Sequence, residues 1–469
     1  MQNKCPFFWI HYIFNVTLHL EMKYNTYTLD NGLRIIHLPS DSQVVYCGYQ
    51  INAGTRNEEP GEEGLAHFCE HVTFKGTERR KAWHILNCLE SVGGDLNAYT
   101  NKEGTVYYSA ILKEHIARAV DLLSDIVFHS VYPQAEIDKE VEVICDEIES
   151  YNDSPAELIY DEFENILFKS SPLGHNILGT AEQVRAFKTE DALHFTRKLY
   201  RPDNAIFFAY GDIDFKKLVK LIQKALGECP KGRELACSTD CNSAETPTEK
   251  RIAEETPTGE TPTEEMEAGD ANHKVQSSKF NVQSKVAGQT IVMQKNTHQA
   301  HVMIGTRAYD VNDDRRMPLY LLNNMLGGPG MNAKLNLALR EHNGLVYTVE
   351  SMMVAYGDTG TWSIYFGCDE HDVKRCLRLV RKELDKFMQK PLSDAQLKAA
   401  KKQIKGQIGV ACDNRENFAL DFGKSFLHYG WEKNVDRLYE QVDEITAAQI
   451  QAVAQELFDK DRLTTLIFK

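Results

Sequence analysis

Gly64-Leu65-Ala66-His67-Phe68-Cys69-Glu70-His71-Val72-Thr73-Phe74-Lys75-Gly76 is an apolar helical stretch that carries two histidines and a glutamate and stops at a glycine. At about 100° per residue, His67, Glu70 and His71 fall within an arc of about 100° on one helix face. Two imidazoles one turn apart can hold the same zinc ion. Glu70 then stands beside the metal, placed to take a proton from a water whose pKa zinc lowers to about 7. Cys69 points to the opposite side and is a poor ligand. The bland reading of His67-Phe68-Cys69-Glu70-His71 is a helix with two structurally satisfied histidines, and the spacing alone does not discard it.

A hydrolytic zinc site needs a third protein ligand and one open position. The acidic stretch 134–152 reads as a helix and offers two pairs at heptad spacing, Glu140 with Glu147 and Glu142 with Glu149. The apolar face of Ile137, Val141, Ile144 and Ile148 lies at a similar angle to both pairs, so the helical wheel does not choose between them. For any one of these glutamates, a solvated helix charge is the plain alternative.

Outward from the motif, Tyr27–Leu29 and Leu33–Leu38 flank Asp30-Asn31-Gly32, a hairpin signal because Asn-Gly tolerates positive φ. Val44–Ile51 reads as a strand, and helical periodicity covers about 64–76, 80–92, 113–130, 134–152 and 155–168. In the second half, 287–294 and 300–305 read as strands, followed by helices near 317–326, 332–342, 370–389, 393–411 and 447–458 and a final strand at 463–468. Gly54-Thr55-Arg56 and Gly305-Thr306-Arg307 each end an early strand, and each half finishes with a helix, a polar turn and an apolar strand. This echo predicts duplicated α+β domains.

Between the halves, residues 238–272 hold ten Asp/Glu against two Lys/Arg and repeat Glu-Thr-Pro-Thr three times. Such a composition cannot bury enough apolar surface to offset ordering entropy, so 231–285 reads as an acidic disordered linker. The net charge of -15 argues against a nucleic-acid partner, which needs a basic surface. The eleven scattered cysteines contain no Cys-x-x-Cys and read as reduced thiols, pointing to a cytoplasmic chain. Residues 1–21 are apolar but too short to span a bilayer. They read as an upstream extension before Met22, with a signal or anchor as the alternative.

Together these residues resemble the pitrilysin/insulinase family, which includes insulin-degrading enzyme and mitochondrial processing peptidase and carries the inverted His-x-x-Glu-His order. Members place the third ligand in a downstream Glu-x6-Glu helix. At the family's spacing Glu147 falls 76 residues after His71, with Glu140 seven before it. The resemblance therefore implies Glu147 as ligand and Glu140 as a support that orients a ligand. Gly93-Gly94-Asp95-Leu96-Asn97-Ala98-Tyr99-Thr100 resembles the family's edge strand, which implies that Asn97, Ala98, Tyr99 and Thr100 pair with an extended peptide. Arg340 and Tyr347, in Leu339-Arg340-Glu341-His342-Asn343-Gly344-Leu345-Val346-Tyr347, resemble the family's Arg-x6-Tyr, which implies that the second domain, 286–469, completes the substrate site by reaching across to stabilise the oxyanion. Ser171-Pro172-Leu173-Gly174-His175 and the glycine-rich 326–331 also fit family loops, His175 in a structural role.

The fold so implied is α+β, with two homologous sheet-and-helix domains at 22–230 and 286–469 forming a clamshell. The implied activity is that of an endopeptidase with one zinc per chain, acting on peptides or unfolded segments. The His-x-x-Glu-His motif does not recur in the second half, and the family pattern does not explain the long linker. Partners compatible with the resemblance are a peptide substrate and a second chain, either another copy or a homologue lacking the zinc motif. The rival reading is a non-catalytic partner or scaffold subunit on the same fold, since the family includes such chains. A zinc hydrolase acting on a non-peptide amide is more distant, because the edge strand suits peptides.

Overall fold

The computed structural model describes residues 22–227, 288–295 and 297–469. The expected N-terminal extension and the acidic linker lie outside the described residues. The first sheet contains β1 (Asn25–Thr28), β2 (Arg34–Pro39), β3 (Val44–Ile51), β4 (Asn97–Thr100), β5 (Thr105–Leu112) and β6 (Ala205–Gly211), in the order β1-β2-β6-β3-β5-β4. Helices α1 (Leu65–Thr73), α2 (Ala82–Glu90), α3 (Ile116–Phe128), α4 (Gln134–Asn152), α5 (Pro155–Leu167), α6 (Ala181–Ala186) and α7 (Thr189–Leu199) come before β6, and α8 (Phe215–Leu226) after it.

The second sheet contains β7 (Thr290–Met293), β8 (Ala300–Ala308), β9 (Val346–Ala355), β10 (Gly360–Cys368) and β11 (Thr464–Phe468), in the order β7-β11-β8-β10-β9. Its helices are α9 (Arg316–Gly327), α10 (Val373–Gln389), α11 (Asp394–Cys412), α12 (Arg415–Tyr429), α13 (Val435–Glu444) and α14 (Ala447–Leu457). The stretch expected as a helix at 332–342 forms a π-helix over Asn336–Glu341.

The two sheets share one topology. In the first, β2 runs parallel to β6, which is antiparallel to β3, then β5, then β4. In the second, β7 runs parallel to β11, and β8, β10 and β9 follow antiparallel in turn. Strand β4 thus ends the first sheet as β9 ends the second, and among the described residues neither has a strand on its outer edge. At the centre Tyr49 pairs with both Tyr107 and Phe207, and all three are fully buried.

Each sheet is covered on both faces, and one cover comes from the other half of the chain. Helix α5 lays Leu158, Ile159 and Phe163 against Met303, Leu466 and Phe468 of the second sheet. Helix α12 lays Phe418, Ala419 and Phe422 against Ile36, Ile206 and Phe208 of the first. A strand buried on both faces needs a near-continuous apolar sequence, and Ala205-Ile206-Phe207-Phe208-Ala209 is such a run. The exchange of helices joins 22–227 and the described residues from 288 onward into one compact unit. The seven described cysteines, Cys47, Cys69, Cys88, Cys145, Cys368, Cys376 and Cys412, are free. Among the described residues no helix is long and apolar enough to cross a membrane.

Candidate metal centre

Helix α1 packs between α4, α7 and strand β4. Its apolar side (Leu65, Phe68, Cys69, Val72) is buried in the core of the first half. That packing leaves His67, Glu70 and His71 facing α4 and β4. The other metal-capable group among the described residues, Asp369-His371-Asp372, sits on an exposed turn.

One imidazole nitrogen each of His67 and His71 and one carboxylate oxygen of Glu147 lie within 4.8 Å of one another. Glu147 Oε2 is 3.2 Å from His71 Nε2 and 3.8 Å from His67 Nε2. Ligands about 2.0–2.1 Å from a tetrahedral zinc ion stand roughly 3.3–3.5 Å apart, so these separations straddle the value the ion needs. Glu142 and Glu149, the competing pair on α4, are not in the cluster; Glu142 pairs with Arg185 at 3.5 Å.

Glu140 accepts a 3.0 Å hydrogen bond from His71 Nδ1 and pairs with Lys75 Nζ at 2.5 Å. With Nδ1–H held by Glu140, the Nε2 of His71 faces Glu147, and giving up its Nε2 proton would leave the tautomer a metal ligand requires. His67 Nδ1 is buried without a hydrogen-bond partner. Glu70 stands apart from the ligand atoms: its Oε2 accepts a 2.6 Å hydrogen bond from the Thr100 hydroxyl on β4.

The electrostatics of the metal-free cluster are divided. Burial, and then the neighbouring His71, press His67 down to about 4. Burial also opposes charge on His71, but the hydrogen bonds to Glu140 and Glu147 outweigh it and lift the imidazole to about 9. The hydrogen bond from His71 is the main cause holding Glu147 below its usual range. Burial raises Glu70 against the opposing hydrogen bond from Thr100. A cation held at the centre would replace the imidazolium as the charge that balances Glu147.

Arg340 and Tyr347, expected to reach the cluster from the second half of the chain, make no hydrogen bond or ion pair with it among the described residues. Arg340, on the π-helix, lies 3.7 Å from Glu341 and lines a cavity of about 770 Å³ formed by the second half. Tyr347, the second residue of β9, is 85% exposed. Neither is among the groups that hydrogen-bond or pair with the cluster. The glycine-rich 326–331 ends α9 and lines the same cavity as Arg340.

Two residues with unanticipated roles surround the motif. Glu58 caps the start of α1, and Lys75 holds Glu140. Nothing in the local pattern sets Glu58 apart from Glu59, Glu62 and Glu63 beside it.

Residues 35–181, which contain the whole cluster, match Insulinase (Peptidase family M16), and 186–404 match the Peptidase M16 inactive domain. The mitochondrial-processing peptidase subunit beta of Saccharomyces cerevisiae is 30% identical over 436 residues, covering 91% of this chain and 86% of its own. This chain belongs to the insulinase family, peptidase family M16. An uncharacterized zinc protease of Bacillus subtilis is 29% identical to this insulinase-family chain over 444 residues, 94% of this chain and 97% of its own. A protease from Helicobacter pylori shares the fold, with a TM-score of 0.78 at 20% identity over 96% of this chain and 99% of that one. A peptidase M16 inactive domain from Pseudomonas fluorescens has the same TM-score at 16% identity, over 95% of this chain and 98% of that one.

Proposed function

We propose that this insulinase-family chain is a zinc metalloendopeptidase that hydrolyses peptides or unfolded polypeptide segments. The observation that carries the reading is the convergence of His67, His71 and Glu147 with the Glu70 carboxylate beside them and not among them. When bound, zinc supplies a Lewis acid that acidifies a water and polarises the scissile carbonyl. Glu70 then takes the water's proton and returns it to the leaving amine. The Thr100 hydroxyl keeps Glu70 turned to this task, and Glu140 keeps His71 in its ligand tautomer.

The open edge of β4 supports a polypeptide substrate. Asn97, Ala98, Tyr99 and Thr100 offer main-chain groups to an extended chain, which explains action on unfolded segments with little regard for side chains. We read the two repeats as homologous domains, 22–230 and 286–469, joined by 231–285. Arg340 and Tyr347 complete the site from a second chain, either another copy or a homologue lacking the motif. The exposure of Tyr347 and its separation from the cluster's contacts support supply in trans. The free thiols fit a reducing, cytoplasmic compartment.

The test is cleavage of unstructured peptides by zinc-loaded protein with and without a chelator. Chelator-sensitive cleavage is expected. Its absence, both alone and with a homologous partner, would favour the scaffold reading.

A further inference from the structure

Helix α1 begins in an unusual way. Its N-cap is Gly64, at φ 97°, which has no side chain to satisfy the free N–H groups of the first turn. The conformation is left-handed and the space is closed: a Cβ at Gly64 would lie 2.7 Å from the Leu178 carbonyl oxygen. The missing cap comes from Glu58. Its Oε2 accepts from Gly64 N at 3.1 Å and its Oε1 from Ala66 N at 2.8 Å, the residue just before His67.

The Glu58 side chain is fully buried, and a buried carboxylate needs every partner it can hold. His175 provides the third, donating from Nε2 to Glu58 Oε2 at 2.7 Å. The carbonyl of His175 in turn accepts from Lys102 Nζ. Lys102 lies two residues beyond Thr100, the residue that holds Glu70. The backbone zips the same parts together, Thr55 N to Asn101 O at 3.2 Å and Arg56 N to Lys102 O at 2.8 Å. The contacts therefore close a ring from Glu58 through α1 and Glu70 to Thr100, Lys102, His175 and back to Glu58.

We propose that Glu58 and His175 are positioning residues that fix α1 in height and rotation against β4, and so set where His67 meets Glu147 and Glu70 meets the substrate strand. The inference rests on the zinc reading above. A cap with only a structural role would change stability and nothing else. A positioning role changes the metal's surroundings and the chemical step while leaving substrate affinity near its original value.

The experiment adds Co²⁺ or Zn²⁺ to chelator-stripped wild type, Glu58→Gln, His175→Ala and His175→Gln. It reads the visible Co²⁺ spectrum, zinc affinity against a chromophoric chelator, and kcat and KM on an unstructured peptide. Circular dichroism checks that each variant is folded. Glu58→Gln and His175→Ala are expected to show a shifted Co²⁺ spectrum and zinc binding weakened by roughly 10–100-fold. Their kcat should fall roughly 10-fold or more with KM changed less than about twofold. His175→Gln, whose amide can still donate to Glu58, should recover most of the loss. If Glu58→Gln does not fold, His175→Ala decides, because it leaves both backbone hydrogen bonds of the carboxylate in place. Folded variants that match wild type in spectrum, affinity and kcat overturn the inference alone. A wild type that takes up neither metal overturns the zinc reading and this inference with it.

Discussion

The Thr100 hydroxyl donates a 2.6 Å hydrogen bond to Oε2 of Glu70, linking the open edge strand to the carboxylate beside the metal cluster. One hydrogen bond thus ties the strand to the proposed base. Thr100→Val keeps the shape and removes the donor. We expect metal content to stay at wild-type level and kcat to fall roughly 10-fold, because a misaligned base forfeits part of a 10²–10⁴-fold effect. Steady-state kinetics beside metal analysis checks this, and an unchanged kcat would show that Glu70 is held by other means.

Glu147 is the member of the acidic helix whose loss should empty the site. Glu147→Gln is expected to lose most bound zinc, while Glu142→Gln and Glu149→Gln keep it, since neither side chain is part of the cluster. Glu140→Gln should weaken zinc binding by roughly 10–100-fold through the freed His71 ring. Metal content after gel filtration gives the ranking, and full zinc retention in Glu147→Gln contradicts the ligand set.

How much of this was legible in the sequence differs from residue to residue. The spacing of His67, Glu70 and His71 put them on one face, and β3 and α4 match the ranges that periodicity gives. The choice of Glu147 over Glu149 was not legible from periodicity, because both lie at similar angles to the apolar stripe; the family resemblance made it. Helix α12 leaves no such periodic signal in the sequence. Its apolar residues face a sheet built from the other half of the chain, and Gly423 interrupts the pattern. A Cβ at Gly423 would lie 2.7 Å from Gln50 Nε2, so tertiary contact and not helix propensity selects that glycine. The role of Glu58 was hidden among neighbouring glutamates, since a cap supplied from six residues upstream has no local signature.

The exchanged helices predict cooperative unfolding of the two halves. Phe422 on α12 is fully buried against Ile206 and Phe208 of the first sheet. Phe422→Ala is expected to cost about 3–5 kcal/mol by cavity formation. A single denaturant transition, shifted together for probes in both halves, is the expected result. Separate transitions contradict interlocking.

Acid should weaken the same junction. His428, at the end of α12, is pressed down to about 4 by burial and by the nearby charges of Lys424, Arg34 and Arg56. Arg34 is fixed there by hydrogen bonds to the carbonyls of Phe426 and Leu427, both 2.9 Å. With a folded value below the unfolded value near 6.5, the unfolded state takes the proton first as pH falls. This contribution to stability is complete above about pH 6.5 and lost progressively down to about pH 4, by up to about 3 kcal/mol. His428→Gln should flatten that part of the curve of urea midpoint against pH. An unchanged slope assigns the acid sensitivity to other groups.

We propose that Glu70 serves the reaction and not the metal. Glu70→Gln keeps the volume of the side chain and an acceptor for Thr100 but removes the base. The decisive measurement is zinc content and peptide cleavage on the same preparation of this variant. About one zinc per chain is expected, as in wild type, with turnover reduced roughly 10²–10⁴-fold. Undiminished cleavage, or loss of the zinc along with the activity, would contradict it.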